Sequence, residues 1–245
     1  MPIVNGAALF IGLLGVAAIG TIGRFGASAT WGDIALILAS ALVPLTALVG
    51  PQSDGVARWL LIGGLTIQPT MIVVPLIALG VALRPSTPRT AAAIIAALGL
   101  AMQPDPGAAA MLLAGLATPL LDKDLRGPSD SAGAVTAAIA LAVAEWRTVD
   151  LPPVPFVEHV IPDAFAAGVL PAMLAMAAAL LTLVPAVARP LRAPHLAHLG
   201  LWIAALATAL IGPFPTPVVG FGGSGVLGFV MSAGLLALGT RVLRP

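Results

Sequence analysis

Apolar residues run along this chain in blocks, separated by short segments that hold nearly all of the charge. The blocks fall at about residues 6–22, 34–50, 69–83, 88–103, 107–121, 133–147, 164–188, 199–213 and 226–243. A half-buried strand would alternate with a period of two, and a surface helix of a soluble domain would carry one polar face. Neither pattern recurs. The blocks predict an all-α, polytopic membrane bundle of about nine spanning helices, one transmembrane domain over residues 1–245 with no soluble part large enough to fold alone. Several blocks are shorter than the ~20 residues of a straight span, so those helices are expected to borrow residues from their flanks or to lie within the bundle.

Composition removes the soluble alternative. The 245 residues are 59% hydrophobic and 9% charged, with a mean hydropathy of +1.07, whereas a soluble domain is roughly a quarter charged. The 27 Gly and 23 Pro, in so apolar a chain, suit close helix contacts and kinked spans. With no cysteine there is no disulfide, thiolate metal site or cysteine nucleophile, and three His leave little for a metal cage. A net charge of +1 without a basic, aromatic-studded run excludes nucleic acid as a partner. Met1–Gly6 lacks the basic start of a cleaved signal, so the first block is expected to stay as a span.

Charge placement gives the orientation. Nine of the 11 basic residues lie in alternate loops: Arg24, Arg84 and Arg89, Lys123 and Arg126, Arg189 and Arg192, Arg241 and Arg244. The other loops hold Arg58 and Arg147 against Asp54, Asp105, Asp150, Glu158 and Asp163. Because basic loops are retained in the cytoplasm, the N-terminus is expected outside and the C-terminus inside. Trp31, Trp59 and Trp146 fall at span ends, where an indole anchors at the interface.

P-loop, His-Glu-x-x-His and dinucleotide motifs are absent. Three polar clusters lie on the expected outer side: Asp54 to Trp59 with Gly63-Gly64 and Gln68-Pro69-Thr70; Gln103-Pro104-Asp105-Pro106-Gly107; and Asp150 to Asp163 through Pro152-Pro153-Val154-Pro155 and Glu158-His159. Gly220-Phe221-Gly222-Gly223-Ser224-Gly225 joins them, as a tight turn or as non-helical backbone beside a cavity. Convergence of all four on one side permits one shared, outward-opening cavity.

These segments resemble the SEDS family, the FtsW/RodA/SpoVE cell-cycle proteins. Arg58-Trp59, Gly63-Gly64 and Gln68-Pro69-Thr70 are similar to the family's Arg-Trp, Leu-Gly and Gln-Pro-Ser segment; Gln103 to Gly107 looks like its Gln-Pro-Asp-Leu-Gly hairpin; and Pro215 to Gly225 resembles its Pro-Phe-Val-Ser-Tyr-Gly-Gly-Ser-Ser turn. The resemblance spans about residues 50–245 and implies a ten-helix fold here lacking its first helix. Two departures stand out. Met71 and Val74 occupy the places of a Glu and a Lys, and Glu158-His159 is separated from Asp163 by three residues where the family has a compact Glu-x-His-Thr-Asp.

The resemblance implies an inner-membrane protein of bacterial cell-wall synthesis, in division or elongation: a peptidoglycan glycosyltransferase that uses a lipid-linked disaccharide, with a divalent cation (Mg or Mn) helping diphosphate to leave and a class B penicillin-binding transpeptidase as partner. Asp163 takes the place of its catalytic base, beside a simpler reading as the cap of a helix starting at Ala164. Gln68, Glu158, Gly222, Gly223 and Ser224 join as substrate-binding candidates. Arg58 either holds a diphosphate or snorkels to the interface, and Asp105 is expected to pair with it, because an acid at membrane depth needs a partner. Glu145 and Arg147 read as a structural pair or as solvated residues, His159 as a solvated loop residue, and His195 and His198 as parts of an inner loop. Two other functions fit the same chain: a noncatalytic scaffold binding division or elongation partners, and a transporter or lipid flippase built on broken helices.

Overall fold

The computed structural model describes residues 2–24, 29–122, 128–147, 149, 157–188, 190–219 and 222–242. The described residues form a polytopic helical bundle. In chain order the elements are α1 (Pro2–Arg24), α2 (Ala29–Val49), a hairpin of β1 (Leu60–Ile62) and β2 (Leu65–Ile67), α3 (Pro69–Leu83), α4 (Thr87–Met102), α5 (Pro106–Ala117) with a 3-10 turn (Thr118–Leu121), and α6 (Pro128–Trp146). After the long loop come α7 (Val160–Ala167), α8 (Val169–Leu180), a 3-10 turn (Leu181–Leu183), α9 (Val184–Val187), α10 (Ala193–Ile211) and α11 (Gly223–Val242). Each predicted block is matched by helix, the seventh by α7 to α9 in series.

Proline sets many of the helix starts. Pro sits in the first two positions of α3, α4, α5 and α10, where its missing N–H costs nothing and its fixed φ favours the first turn. The seventh block is broken rather than continuous, because Gly168 holds φ 133, a value reserved for glycine, between α7 and α8. α7 begins at Val160, ahead of the expected start at Ala164, since Pro162 falls within the tolerant first turn.

Among the described residues, four helical segments are long and apolar enough to span a bilayer by themselves: Ile3–Thr21, Thr30–Val49, Val169–Val187 and Ala193–Ile211. Shorter apolar helices fill the interior; α3 is the extreme case, with Val74, Ile77, Ala78 and Leu79 completely buried. They pack against Ala-rich faces of α4, α5 and α6 and against Leu201 and Trp202 of α10. Small residues let these helices approach closely, as at Gly99, where an added Cβ would stand 2.5 Å from the Pro44 nitrogen of α2. α1 packs along α11, through Gly12 against Val230 and Gly234 against Val16, and otherwise presents Leu9, Phe10, Leu13 and Leu14 to lipid.

The polar segments segregate to two ends. At the acidic end, loop 50–68 reaches the Gln103–Gly107 hairpin and the start of α11, while residues 157–158 pair with residues 215–216. At the basic end, Arg89 of α4 pairs with Asp33 of α2 at 2.6 Å, and the Ala193 amide donates to Asp122 Oδ2 at 3.2 Å. Trp31 and Trp146 are exposed at helix ends, as interface anchors are, whereas Trp59 is half-buried. His195 and His198 lie within α10, not in a loop. His198 is completely buried between Trp202 and Phe229, with Nε2 3.1 Å from the Thr182 carbonyl oxygen. Glu145 and Arg147 are both exposed, and Arg147 Nη1 donates to the Ala101 carbonyl at 2.9 Å instead of pairing with Glu145.

Candidate functional site

The hairpin at the acidic end is built by Gly63 and Gly64, whose φ of 57 and 80 form the tight reversal a two-residue hairpin requires. It pairs Leu60 with Ile67, Leu61 with Thr66 and Ile62 with Leu65. The pairing carries Trp59 and Thr66 to one side of Gln68, the residue before α3. The Gln68 amide donates to Ser224 Oγ at 3.0 Å, which ties the start of α3 to the first turn of α11. Across from them, Glu158 bridges antiparallel to Pro215, and the Thr216 amide donates to the Val157 carbonyl at 2.9 Å.

These elements enclose a cavity of about 250 Å³, near the lower end of ligand pockets at roughly 300 Å³. Trp59, Gln68, Glu158, Thr216, Gly222 and Ser224 all line it, and Gly223 closes one side. Its polar lining is an amide, hydroxyls and one carboxylate, with an indole beside them. Thr216 is 4% exposed, and its hydroxyl has no hydrogen-bond partner among the described residues. The oxygen itself is enclosed, so it is a buried polar group behind the cavity surface and not an open contact point.

Asp105 lies one layer deeper. It is the N-cap of α5: Oδ1 accepts from the Ala108 amide at 3.1 Å, and Oδ2 faces Gln68 Nε2 at 3.4 Å. It borders a small void of about 10 Å³ that shares Gln68, Met71 and Pro215 with the main cavity. Asp105 therefore supports the cavity through Gln68 without lining it. The expected pairing with Arg58 is not made. Arg58 is 6% exposed, and its Nη2 donates to the Pro104 carbonyl, so it holds the hairpin backbone, neither snorkelling nor facing the cavity.

Asp163 is also placed differently from the expectation. It lies in the first turn of α7, exposed and away from the cavity lining, because the helix has already begun at Val160. It is not the cap; His159 holds that position, in the left-handed region at φ 58. Its negative charge complements the helix dipole. Gly223, Ser224 and Gly225 are the first helical residues of α11, not irregular backbone, while Gly220 and Phe221 fall outside the described residues, as do Asp150 and residues 152–155. Met71 and Val74, 4% and 0% exposed, are part of the core.

No family model and no curated protein matches the chain. Solved structures do. The rod shape determining protein RodA of Thermus thermophilus, in an aspartate-to-alanine mutant, superposes with a TM-score of 0.62 at 20% identity, over 99% of this chain and 89% of that one. Unsubstituted RodA of the same organism gives 0.59 at 19% identity, over 99% and 88%. This chain has the RodA-like, SEDS-type fold.

Within that RodA-like fold, the three segments that carry the sequence resemblance are in direct contact. Arg58 holds Pro104, and Gln68 holds both Asp105 and Ser224. Sequence reasoning named Gln68, Glu158 and the Gly222–Ser224 turn, all of which line the cavity, but it missed Thr216 and assigned Trp59 only an interfacial role. The signal for Thr216 was its place in Pro215-Thr216-Pro217, where two prolines force extended backbone into a short connection.

Proposed function

We propose that this protein acts in bacterial cell-wall synthesis, in the inner membrane, and that its cavity receives the saccharide of a lipid-linked disaccharide. The supporting observation is the cavity itself: two of the three SEDS-like segments, around Trp59–Gln68 and Pro215–Gly225, close around it together with Glu158, and line it with an amide, hydroxyls and a carboxylate. Amide, hydroxyl and carboxylate groups match the hydroxyls of a sugar, and Trp59 offers an apolar ring face.

In the catalytic form of this reading, Glu158 is the better placed carboxylate than Asp163, since it lines the cavity. It would accept the proton from a sugar hydroxyl as that oxygen bonds to the anomeric carbon, while the bond from that carbon to the diphosphate breaks and its electron pair leaves with the diphosphate. Among the described residues no three His, Asp or Glu side chains group to hold a metal. A divalent cation would depend on the substrate's phosphates for most of its ligands, and no step here is assigned to one. The test is polymerisation of a lipid-linked disaccharide by the purified protein in vesicles, with and without a class B transpeptidase. Glu158→Gln is expected to lower the rate by roughly 10²–10⁴-fold, and Asp163→Asn to leave it within a small factor.

The noncatalytic scaffold is favoured by two further observations: Met71 and Val74 bury apolar side chains where the SEDS pattern has a charged pair, and Arg58 is committed to Pro104. If no polymer forms under any of these conditions while a transpeptidase still co-purifies, the scaffold is the function.

A further inference from the structure

Toward the basic end, a groove of about 550 Å³ that shares no lining residue with the cavity separates α1 from α2, with α3 and α11 as its floor. Ile19, Leu36, Leu76 and Met231 line it, and among the described residues its only polar lining is Arg84 and Arg89. Ala35 on its wall is exposed and Leu36 and Leu76 are half-buried, so the groove opens on the lipid-facing side of the bundle. The two arginines are not equivalent. Arg89 is spent within the protein: Nε donates to Asp33 Oδ1 and Nη1 to the Gly80 carbonyl, each at 2.6 Å. The Arg84 guanidinium is exposed and makes no hydrogen bond to any described residue.

We propose that this groove binds one anionic phospholipid from the leaflet at the basic end, an acyl chain lying between α1 and α2 and the phosphate meeting Arg84. Between two spanning helices the molecules at hand are lipids, and a groove apolar along its length suits an acyl chain, not a peptide with backbone polar groups to satisfy. With Arg89 neutralised by Asp33, Arg84 is the uncompensated positive charge among the described lining residues, and it selects a headgroup of net negative charge. The site is independent of the cavity and of whether the protein is an enzyme.

The test is native mass spectrometry of the detergent-purified chain, titrated with phosphatidylglycerol or with phosphatidylcholine of the same acyl chains. One phosphatidylglycerol is expected to remain bound, retained about fivefold more strongly than phosphatidylcholine, the effect of one basic residue at a membrane surface. Arg84→Gln should erase that preference, whereas Arg192→Gln, at the same end but outside the groove, should leave it intact. Ala35→Trp fills the groove from an exposed wall position and should abolish retention of both lipids, with unchanged melting showing that the variant folds. Equal retention of the two lipids by the unaltered protein, or undiminished phosphatidylglycerol binding in Ala35→Trp, would overturn the proposal.

Discussion

Asp105 shows how one buried acid can serve the site without touching it. Its two carboxylate oxygens are divided between the α5 amide it caps and the Gln68 side chain that lines the cavity. Asp105→Asn is expected to keep the cap, since Asn caps as well as Asp. Asp105→Ala removes both acceptors at a buried position and is expected to cost about 2 kcal/mol, read as a lowered melting temperature in detergent, together with weaker saccharide binding because Gln68 loses its restraint. Asp163→Ala, at an exposed first-turn position, is expected to cost less than about 1 kcal/mol. Much of this contrast was legible in the chain: Pro104 and Pro106 bracket Asp105 at the head of a helical hairpin, and the three outer clusters stand out as polar segments between apolar blocks. What was not legible was which acid at the end of the long loop turns inward. Glu158 and Asp163 are five residues apart, and the choice depends on the bridge from Glu158 to Pro215, a residue 57 positions away.

Packing between elements rests on positions where only glycine fits. α11 crosses α3 so closely that a Cβ on Gly228 would stand 1.9 Å from the Met71 carbonyl oxygen. Backbone cannot yield there as a side chain would, so Gly228→Ala is expected to destabilise by about 3 kcal/mol, at the upper end of overpacking costs. It should also disturb the cavity, since Met71 lines it. Gly222, where an added Cβ meets nothing within 4 Å, is the control; Gly222→Ala should melt with the unaltered protein. Block lengths revealed the helices because membrane spans are written in runs of apolar residues. They concealed the β1–β2 hairpin, whose Leu-Leu-Ile-Gly-Gly-Leu-Thr-Ile is short and apolar on both sides of a Gly-Gly reversal. They also misplaced His195 and His198. Two buried imidazoles interrupt the hydropathy of α10, although the helix starts at Ala193 and packs them inside.

At the scale of the molecule, hydrogen bonds turn sidedness into an all-or-none property. Arg58 joins loop 50–68 to the Gln103–Gly107 hairpin, Gln68 joins it to α11, and Thr216 joins the α10–α11 connection to the end of the long loop. These segments, with the start of α11, must face the same side of the membrane, and the Asp33–Arg89 and Asp122–Ala193 contacts mark the opposite one. The charge asymmetry then predicts which is which: the end bearing Arg84, Arg89 and Arg192 faces the cytoplasm. Because the chain has no cysteine, single substitutions report without background. Gly64→Cys, at the exposed hairpin turn, is expected to react with a membrane-impermeant maleimide in intact cells, and Thr87→Cys, exposed at the start of α4, only after the membrane is opened. Reaction of Thr87→Cys alone in intact cells would turn the cavity toward the cytoplasm. A lipid-linked disaccharide presented at the outer face would then have no route to Glu158 and Thr216, and the wall-synthesis reading would fall while the fold and the lipid groove stood unchanged.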